Sequence, residues 1–325
     1  MRDVFRHEIE HFTPDFPKGA EYRKYWEIAM SVRAMRHFGA LRPDAVVLGV
    51  GAGTEATLFY LTNHVRQVFA TDLYLNHGIW GAYAPRFMLI DPWRFAPYEF
   101  DEKRLVVQHM DGRYLKYPDN TFDGIFSSSS VEHFGEFDDI ANSAYEMGRV
   151  LKIGGVLTLS TEYCIAEPSS GTVWDLDHVR LFSLAELKKH IVDASGLEMV
   201  DEIDTSISPQ TMASKHELRL FGKDLYEQTK KQGLCPRAGE VIWSKYPHLV
   251  LTHHGYVFGS VHLTLRKTEN YPNVVNDWAT PQWSRFHASA LRSQVRVMTH
   301  LESNLSRVSL FIIRVRNVGR AWRRH

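Results

Sequence analysis

The 325-residue sequence predicts an α/β fold, a doubly wound and mostly parallel sheet of seven strands. Three observations lead to this class. Short apolar runs recur between residues 46 and 265, segments with helical periodicity separate most of them, and glycine or proline turns mark the changes. Because parallel strands need crossover connections, this alternation is typical of strands joined through helices.

A glycine-rich turn follows the first predicted strand. The strand is an apolar run at residues 46–48, glycines stand at 49, 51 and 53, and a helical pattern begins after Thr54. Glycine lets a backbone adopt positive φ and lets a ligand approach it closely. We therefore expect Gly49, Gly51 and Gly53 to form a ligand-binding loop, with a purely structural turn as the alternative.

A second strand, at residues 67–71, ends in Asp72, which lies 19 residues beyond Gly53. Acids at this spacing accept hydrogen bonds from ribose hydroxyls in nucleotide-binding folds. The third strand, at 105–108, leads into Asp111 and Gly112. Asp72 is thus predicted to contact a ribose-containing ligand.

The remaining strands are predicted at 122–126, at 156–160, within 195–200 and at 257–265. Four serines, at 127–130, follow the fourth strand, and their small size leaves the backbone around Ser128 accessible to a ligand. Helices are predicted at 21–38, through 140–150 and at 184–193. Ser183 and Glu186 have the spacing of a capping box before the last of these.

Three regions are predicted along the chain. Residues 1–40 are a lead-in with a cap helix, 41–270 are the core domain with insertions at 74–103 and 205–250, and 271–325 are a basic helical C-terminal extension. The first insertion contains eight aromatic residues by position 100 and three prolines. We expect it to line a substrate pocket, with a hydrophobic plug over the core as the alternative.

Composition indicates an ordinary globular chain, with 44% hydrophobic and 23% charged residues. Two cysteines exclude a disulfide framework and a four-thiolate metal site, and they fit a cytoplasmic, reducing compartment. The formal charge is zero, yet residues 281–325 carry nine arginines and one acid. This extension is expected to dock on the body, with a partner protein or an anionic membrane surface as alternatives.

In this order and spacing, the motifs resemble the class I S-adenosylmethionine-dependent methyltransferases over about residues 42–267. The motifs that carry the likeness are 46–54, Asp72, Asp111 with Gly112, 118–123, 131–133 and 149–157. The resemblance implies the Rossmann-like methyltransferase fold with an antiparallel last strand, and S-adenosylmethionine as cofactor. It places the glycine loop and the Gly112 and Ser128 backbones at the cofactor, Asp72 at its ribose hydroxyls and Asp111 at its adenine amino group.

The sequence departs from the family at two positions. Gly49 stands where the family has an acid that anchors the cofactor's amino group, and Glu55 stands where it has a glycine. These departures leave open a degenerate scaffold or interaction protein without turnover. Residues 51–56 also fit the dinucleotide fingerprint of NAD-binding oxidoreductases, but the charge of Glu55 would repel a pyrophosphate there.

The hypothesis favoured by the sequence is in-line methyl transfer to the oxygen of a small-molecule or glycan-type acceptor. The fourth strand is not followed by an Asn-Pro-Pro-Tyr-like tetrapeptide, which favours oxygen over nitrogen. A hydroxyl acceptor must lose its proton, and His133 and His178 are the candidate bases or else structural histidines. Nucleic acid is disfavoured as acceptor because the basic charge is confined to the extension. No metal site is predicted.

Overall fold

The computed structural model describes residues 23–76, 81, 83–97, 99–167, 180–213, 215–217 and 250–268. Candidate base His178, the lead-in before residue 23, most of the second insertion and the basic C-terminal extension lie outside these ranges. The predicted domain boundaries and the roles predicted for the extension therefore stay predictions.

A single mixed sheet organises the described residues. Its nine strands are β1 (Val46–Val50), β2 (Gln67–Asp72), β3 (Leu105–His109), β4 (Phe122–Ser128), β5 (Leu151–Ala166), β6 (Glu198–Met199), β7 (His216–Glu217), β8 (Val250–His253) and β9 (Tyr256–Arg266). The strand order is β3-β2-β1-β4-β5-β9-β8-β7, and β6 also pairs with β9. The first five strands are parallel, and β9 is antiparallel to β5.

This architecture confirms the predicted doubly wound, mostly parallel fold with an antiparallel last strand. The seven predicted strands are present as β1 to β6 and β9, and the two short strands β7 and β8 extend the sheet. Strand β5 begins five residues earlier than the predicted 156, because residues 151–155 continue the strand after the preceding helix ends at Val150.

Within the described ranges, five α-helices accompany the sheet: α1 (Arg23–His37), α2 (Ala56–Thr62), α3 (Phe137–Val150), α4 (Leu184–Leu187), which continues as a π-helical turn to Asp193, and α5 (Pro209–Ala213). The predicted capping box is confirmed, since the Ser183 hydroxyl accepts from the Glu186 backbone amide while the Glu186 carboxylate accepts from Ser183. None of the helices in the described ranges has the length and apolar character required to cross a bilayer.

Alternating strand residues bury two separate apolar layers, as expected for a sheet covered on both faces. Val47 packs in a layer with α1, α2 and the aromatic insertion, whereas Val46, Leu48 and Val50 pack with α3 and α4.

Part of the aromatic insertion is a hydrophobic plug. Tyr74, Met88 and Phe100 are buried in the first layer, and the rings of Trp93 and Phe100 lie 4.4 Å apart. These contacts favour the alternative reading for this part of the insertion. Tyr83 differs, because its side chain is exposed while its carbonyl oxygen lies over the glycine turn, 2.7 Å from where a Cβ on Gly53 would stand.

Candidate functional site

The glycine turn joins β1 to α2 and requires two residues in the left-handed region. Gly51 has φ +62° and Gly53 has φ +45°, which confirms that the turn needs glycine for its backbone. A Cβ on Gly51 would stand 2.6 Å from the Cβ of Ser130 and 3.0 Å from Cζ of Phe134. Gly51 therefore also serves close packing against the loop after β4, a reason that the sequence analysis did not foresee.

Asp72 is held at the edge of this turn. Its Oδ2 accepts from the Gly53 backbone amide at 2.8 Å, and its Oδ1 accepts from the Leu73 amide at 2.6 Å. The Tyr74 hydroxyl donates to the Gly53 carbonyl at 2.9 Å. Burial raises the pKa of Asp72, although both amide bonds oppose that rise. The structure thus places a partly desolvated carboxylate directly beside the glycine backbone.

Asp111 and Gly112 lie at the same edge as Asp72. The Met110 amide donates to the Asp72 carbonyl at 3.0 Å. A Cβ on Gly112 would meet Phe134, the ring that also contacts Gly51, at 2.8 Å. The glycine turn and the two acids that the sequence singled out therefore converge on one edge of the sheet.

The Asp111 carboxylate also has a partner that the sequence analysis missed. Arg113 donates to both of its oxygens at 2.7–3.1 Å and reaches Asp139 at 3.1 Å. The hydrogen bonds that Arg113 donates to Asp111 raise the pKa of the guanidinium above its usual value. In the sequence, the signal available for this ion pair was an acid two residues before an arginine.

Gly49 occupies the position of the acid that the family usually has. It lies inside β1, and a Cβ there would stand 2.6 Å from Cζ of Phe126 and 2.9 Å from the Cβ of Ala52. Phe126 is fully buried. An aromatic ring of β4 therefore fills the space into which a side chain at position 49 would project.

A buried ionic cluster lies across the ends of β4 and β5, and the sequence analysis did not predict it. We define the ionic cluster as Arg23, Lys24 and Glu27 of α1 together with Glu55, Glu132 and Glu162. In the sequence, the first three interrupt the apolar face that was assigned to this helix. Apart from contacts among themselves, their partners lie more than 25 residues away, which is why periodicity alone did not reveal the cluster.

Lys24 is the centre of the ionic cluster. Its Nζ donates to the Ser128 carbonyl at 3.1 Å and lies 3.3 Å from Glu27 and 3.7 Å from Glu55. The Ser128 backbone is thus engaged by a cation, and the Ser128 hydroxyl is buried without a partner among the described residues. This arrangement brings a charged helix residue to a backbone position that was predicted to face the cofactor.

Glu27 and Glu162 have strong partners of their own. The Glu27 oxygens accept from the hydroxyls of Ser129, at 2.8 Å, and Ser260. Burial alone would raise the Glu27 pKa, but Lys24 and Arg23 outweigh it and the pKa is lowered. Glu162 pairs with Arg23. Glu27 is consequently held in the ionised form.

The negative charges of Glu55 and Glu132 are less well balanced by nearby cations. Burial raises the pKa of Glu55 to about 7, against the attraction of Lys24. Burial, followed by repulsion from Glu162, raises the pKa of Glu132 to about 8. One oxygen each of Glu55, Glu132 and Glu162 is buried without a hydrogen-bond donor in the described part of the chain. The edge of the sheet therefore offers hydrogen-bond acceptors to a ligand.

Replacing Lys24 by Met should destabilise the protein by about 3 kcal/mol, because it leaves the buried Glu27 carboxylate without its nearest cation. Urea unfolding at pH 7.5 measures the loss. The matched control is Arg33→Met on the exposed face of the same helix, which should change the free energy of unfolding by less than about 1 kcal/mol. Equal effects of both replacements would show that Lys24 does not stabilise the ionic cluster.

His133 lies beside the ionic cluster. Its Nε2 is 4.0 Å from Glu132 Oε1, and its side chain is 23% exposed. The structure thus brings one of the two predicted bases to the site. A further histidine, His262, is buried under α1 with its Nδ1 2.8 Å from the Ser160 hydroxyl, and burial lowers its pKa to about 4. His262 is therefore neutral at physiological pH.

A cavity of about 560 Å³ lies elsewhere, at the start of β5 and the end of β9, and is lined by Phe38, Ile153, Glu198 and Arg266 among others. It is separate from the glycine turn, and none of the residues predicted for the site lines it. The convergence of strand ends, and not this cavity, identifies the candidate site, because ligands of open α/β sheets bind outside the carboxyl ends of the strands.

Residues 48–159 match the family model of a methyltransferase domain. Among solved structures, the chain resembles a putative sarcosine dimethylglycine methyltransferase from Galdieria sulphuraria, with 14% identity over 82% of this chain and 99% of that one and a TM-score of 0.50. It also resembles the [4+2]-cyclase SpnF, with 19% identity over 82% of this chain and 94% of that one and a TM-score of 0.49. A third similar structure is phosphoethanolamine N-methyltransferase 2 of Haemonchus contortus, with 15% identity over 74% of this chain and 52% of that one and a TM-score of 0.48. No curated protein sequence matches this chain.

The domain match defines the class: residues 48–159 form a class I methyltransferase domain. This domain is that of an S-adenosylmethionine-dependent methyltransferase, with S-adenosylmethionine as its cofactor. The site fits this molecule, because a positive-φ turn with an acid at its edge suits a ligand that carries ribose hydroxyls. The match also decides against the dinucleotide alternative.

Proposed function

We propose that this methyltransferase transfers the methyl group to a hydroxyl oxygen of a small-molecule or glycan-type acceptor. The observation that carries the proposal is the set of buried carboxylate oxygens without donors at the strand edge. Such oxygens accept the hydrogen bonds that hydroxyl groups donate. The serines that follow β4 support the same conclusion, since they stand in place of the tetrapeptide that nucleic-acid and protein N-methylases carry.

The residues of the site would divide the work of binding, orientation and proton transfer. Bound S-adenosylmethionine supplies a methyl group that is already activated by a positively charged sulfur. We propose that Gly51, Gly53 and Asp72 hold its sugar and methionine parts, with Asp111 and Gly112 at the base. The remaining contribution of the protein is to hold the acceptor oxygen in line with the methyl carbon, which supplies a large part of the rate enhancement in such reactions.

Transfer of labelled methyl from S-adenosylmethionine to a panel of sugars, phenols and amines tests the proposal. The expected result is label in hydroxyl-bearing acceptors, with a methyl ether identified by mass spectrometry and NMR. Label found only in amines would contradict oxygen transfer. Cofactor binding without transfer to any member of the panel would favour the scaffold alternative, for which the departure at Gly49 is the supporting observation.

A further inference from the structure

Glu132 combines deep burial with an unused acceptor oxygen. The residue follows β4 in a short 3₁₀ turn and is 1% exposed. Its Oε2 accepts from the Thr161 hydroxyl at 2.8 Å, while its Oε1 has no donor among the described residues. Two residues earlier, the Ser130 hydroxyl donates to the Gly51 carbonyl at 2.7 Å. The unused oxygen therefore belongs to a turn that is fastened to the glycine loop.

The charges that face Glu132 come from three elements and from its own turn. Lys24, Arg23 and Glu27 belong to α1, Glu55 precedes α2, Glu162 belongs to β5, and His133 is the next residue. Arg23 pairs with Glu162, and Lys24 lies against Glu27 and Glu55. Because the described cations of the cluster are engaged by other acids, the ionised form of Glu132 is poorly compensated, and a proton is held there more tightly than on an exposed carboxylate.

We infer that Glu132 is the residue that accepts the proton of the acceptor hydroxyl, with Glu162 as its acidic neighbour in the ionic cluster. This inference rests on the proposed function. The O–H bond of the acceptor breaks toward Glu132 Oε1, the oxygen forms its bond to the methyl carbon, and the electron pair of the sulfur–carbon bond stays on sulfur. Glu132 then returns the proton to solvent, and His133, whose side chain is 23% exposed, lies with its Nε2 4.0 Å from Glu132 Oε1.

A carboxylate in this position should respond to the charge on the cofactor's sulfur. S-adenosylmethionine carries a positive sulfur, whereas S-adenosylhomocysteine has the same adenosine and amino acid parts with a neutral sulfur. The positive charge lowers the pKa of a nearby carboxyl, so binding of S-adenosylmethionine should release a proton that binding of S-adenosylhomocysteine does not. A group that faces only the parts common to both ligands contributes equally to both and cancels in the difference.

Calorimetry of both ligands at pH 7.5, in buffers of different ionisation enthalpy, counts the protons released. In the wild-type protein, S-adenosylmethionine should release a few tenths of a proton more than S-adenosylhomocysteine. In Glu132→Gln this difference should vanish, while the affinity for S-adenosylhomocysteine changes by less than about threefold, a shift below 1 kcal/mol. The matched control is Glu136→Gln in the same loop, whose carboxylate is 77% exposed and which should keep the difference.

A proton difference that survives in Glu132→Gln would overturn the inference. The variant Glu162→Gln supplies a second test that does not need position 132 to be changed. Removing the repulsion of Glu162 should move the pH at which the difference is largest to lower pH, and an unmoved profile would also overturn the inference. If the wild-type protein bound neither ligand, the proposed function itself would fail. This outcome differs from a proton difference that survives in Glu132→Gln and from an unmoved pH profile in Glu162→Gln.

Discussion

Replacing Asp72 by Ala is expected to weaken S-adenosylmethionine binding by about 100-fold, a loss of about 3 kcal/mol. Asp72 accepts from the Gly53 amide at 2.8 Å and is the acid that the family places at the ribose hydroxyls. The change removes the charged acceptor from the ligand and also leaves the turn amide without its partner. Isothermal titration calorimetry at pH 7.5 gives the dissociation constant.

Two further variants separate ligand binding from support of the turn. Asp72→Asn keeps an oxygen for the Gly53 amide but loses the charge, so its affinity should lie between those of the wild type and Asp72→Ala. Asp44→Ala replaces an exposed acid far from the turn and should bind like the wild type. Unchanged affinity in Asp72→Ala would show that Asp72 only terminates β2.

Restoring the family's acid through Gly49→Asp is expected to destabilise the protein by more than about 3 kcal/mol and to leave cofactor affinity no better. A Cβ at this position would stand 2.6 Å from the fully buried ring of Phe126, and the new carboxylate would enter an apolar layer. Urea unfolding measures the stability, and calorimetry measures the affinity of the fraction that folds.

The double variant Gly49→Asp with Phe126→Ala is the control for this steric explanation. Because it removes the ring that meets the new side chain, it should be less destabilised than the sum of the two single variants. Tighter cofactor binding in Gly49→Asp alone would contradict the packing account and would show that the chain had merely lost an anchor.

The sequence predicted the parts of the fold that follow from local patterning. The apolar runs gave β1 to β4, and the spacing of Ser183 and Glu186 gave the start of α4. Strands β7 and β8 were missed because two and four residues are too short for an alternating pattern to be distinguished from a loop. Strand β8 forms because β9 offers an edge to pair with, and β7 pairs in turn with β8, which is a tertiary cause.

The glycine turn and Asp72 could be predicted because the backbone conformation and spacing of this loop restrict its sequence. The ionic cluster could not, since Arg23 and Glu162 are 139 residues apart and meet only when α1 crosses the sheet. The same reason applies to Gly49, whose space is filled by Phe126 of a different strand. What distinguishes this site from its family was therefore determined by packing between distant segments.

Titration of the wild-type protein with S-adenosylmethionine tests most directly whether the glycine turn, Asp72 and Asp111 form one adenosyl site. The predicted result is saturable binding of one molecule per chain, displaced by S-adenosylhomocysteine and unaffected by NAD. Absence of binding at millimolar ligand, or displacement of bound S-adenosylmethionine by NAD, would contradict it.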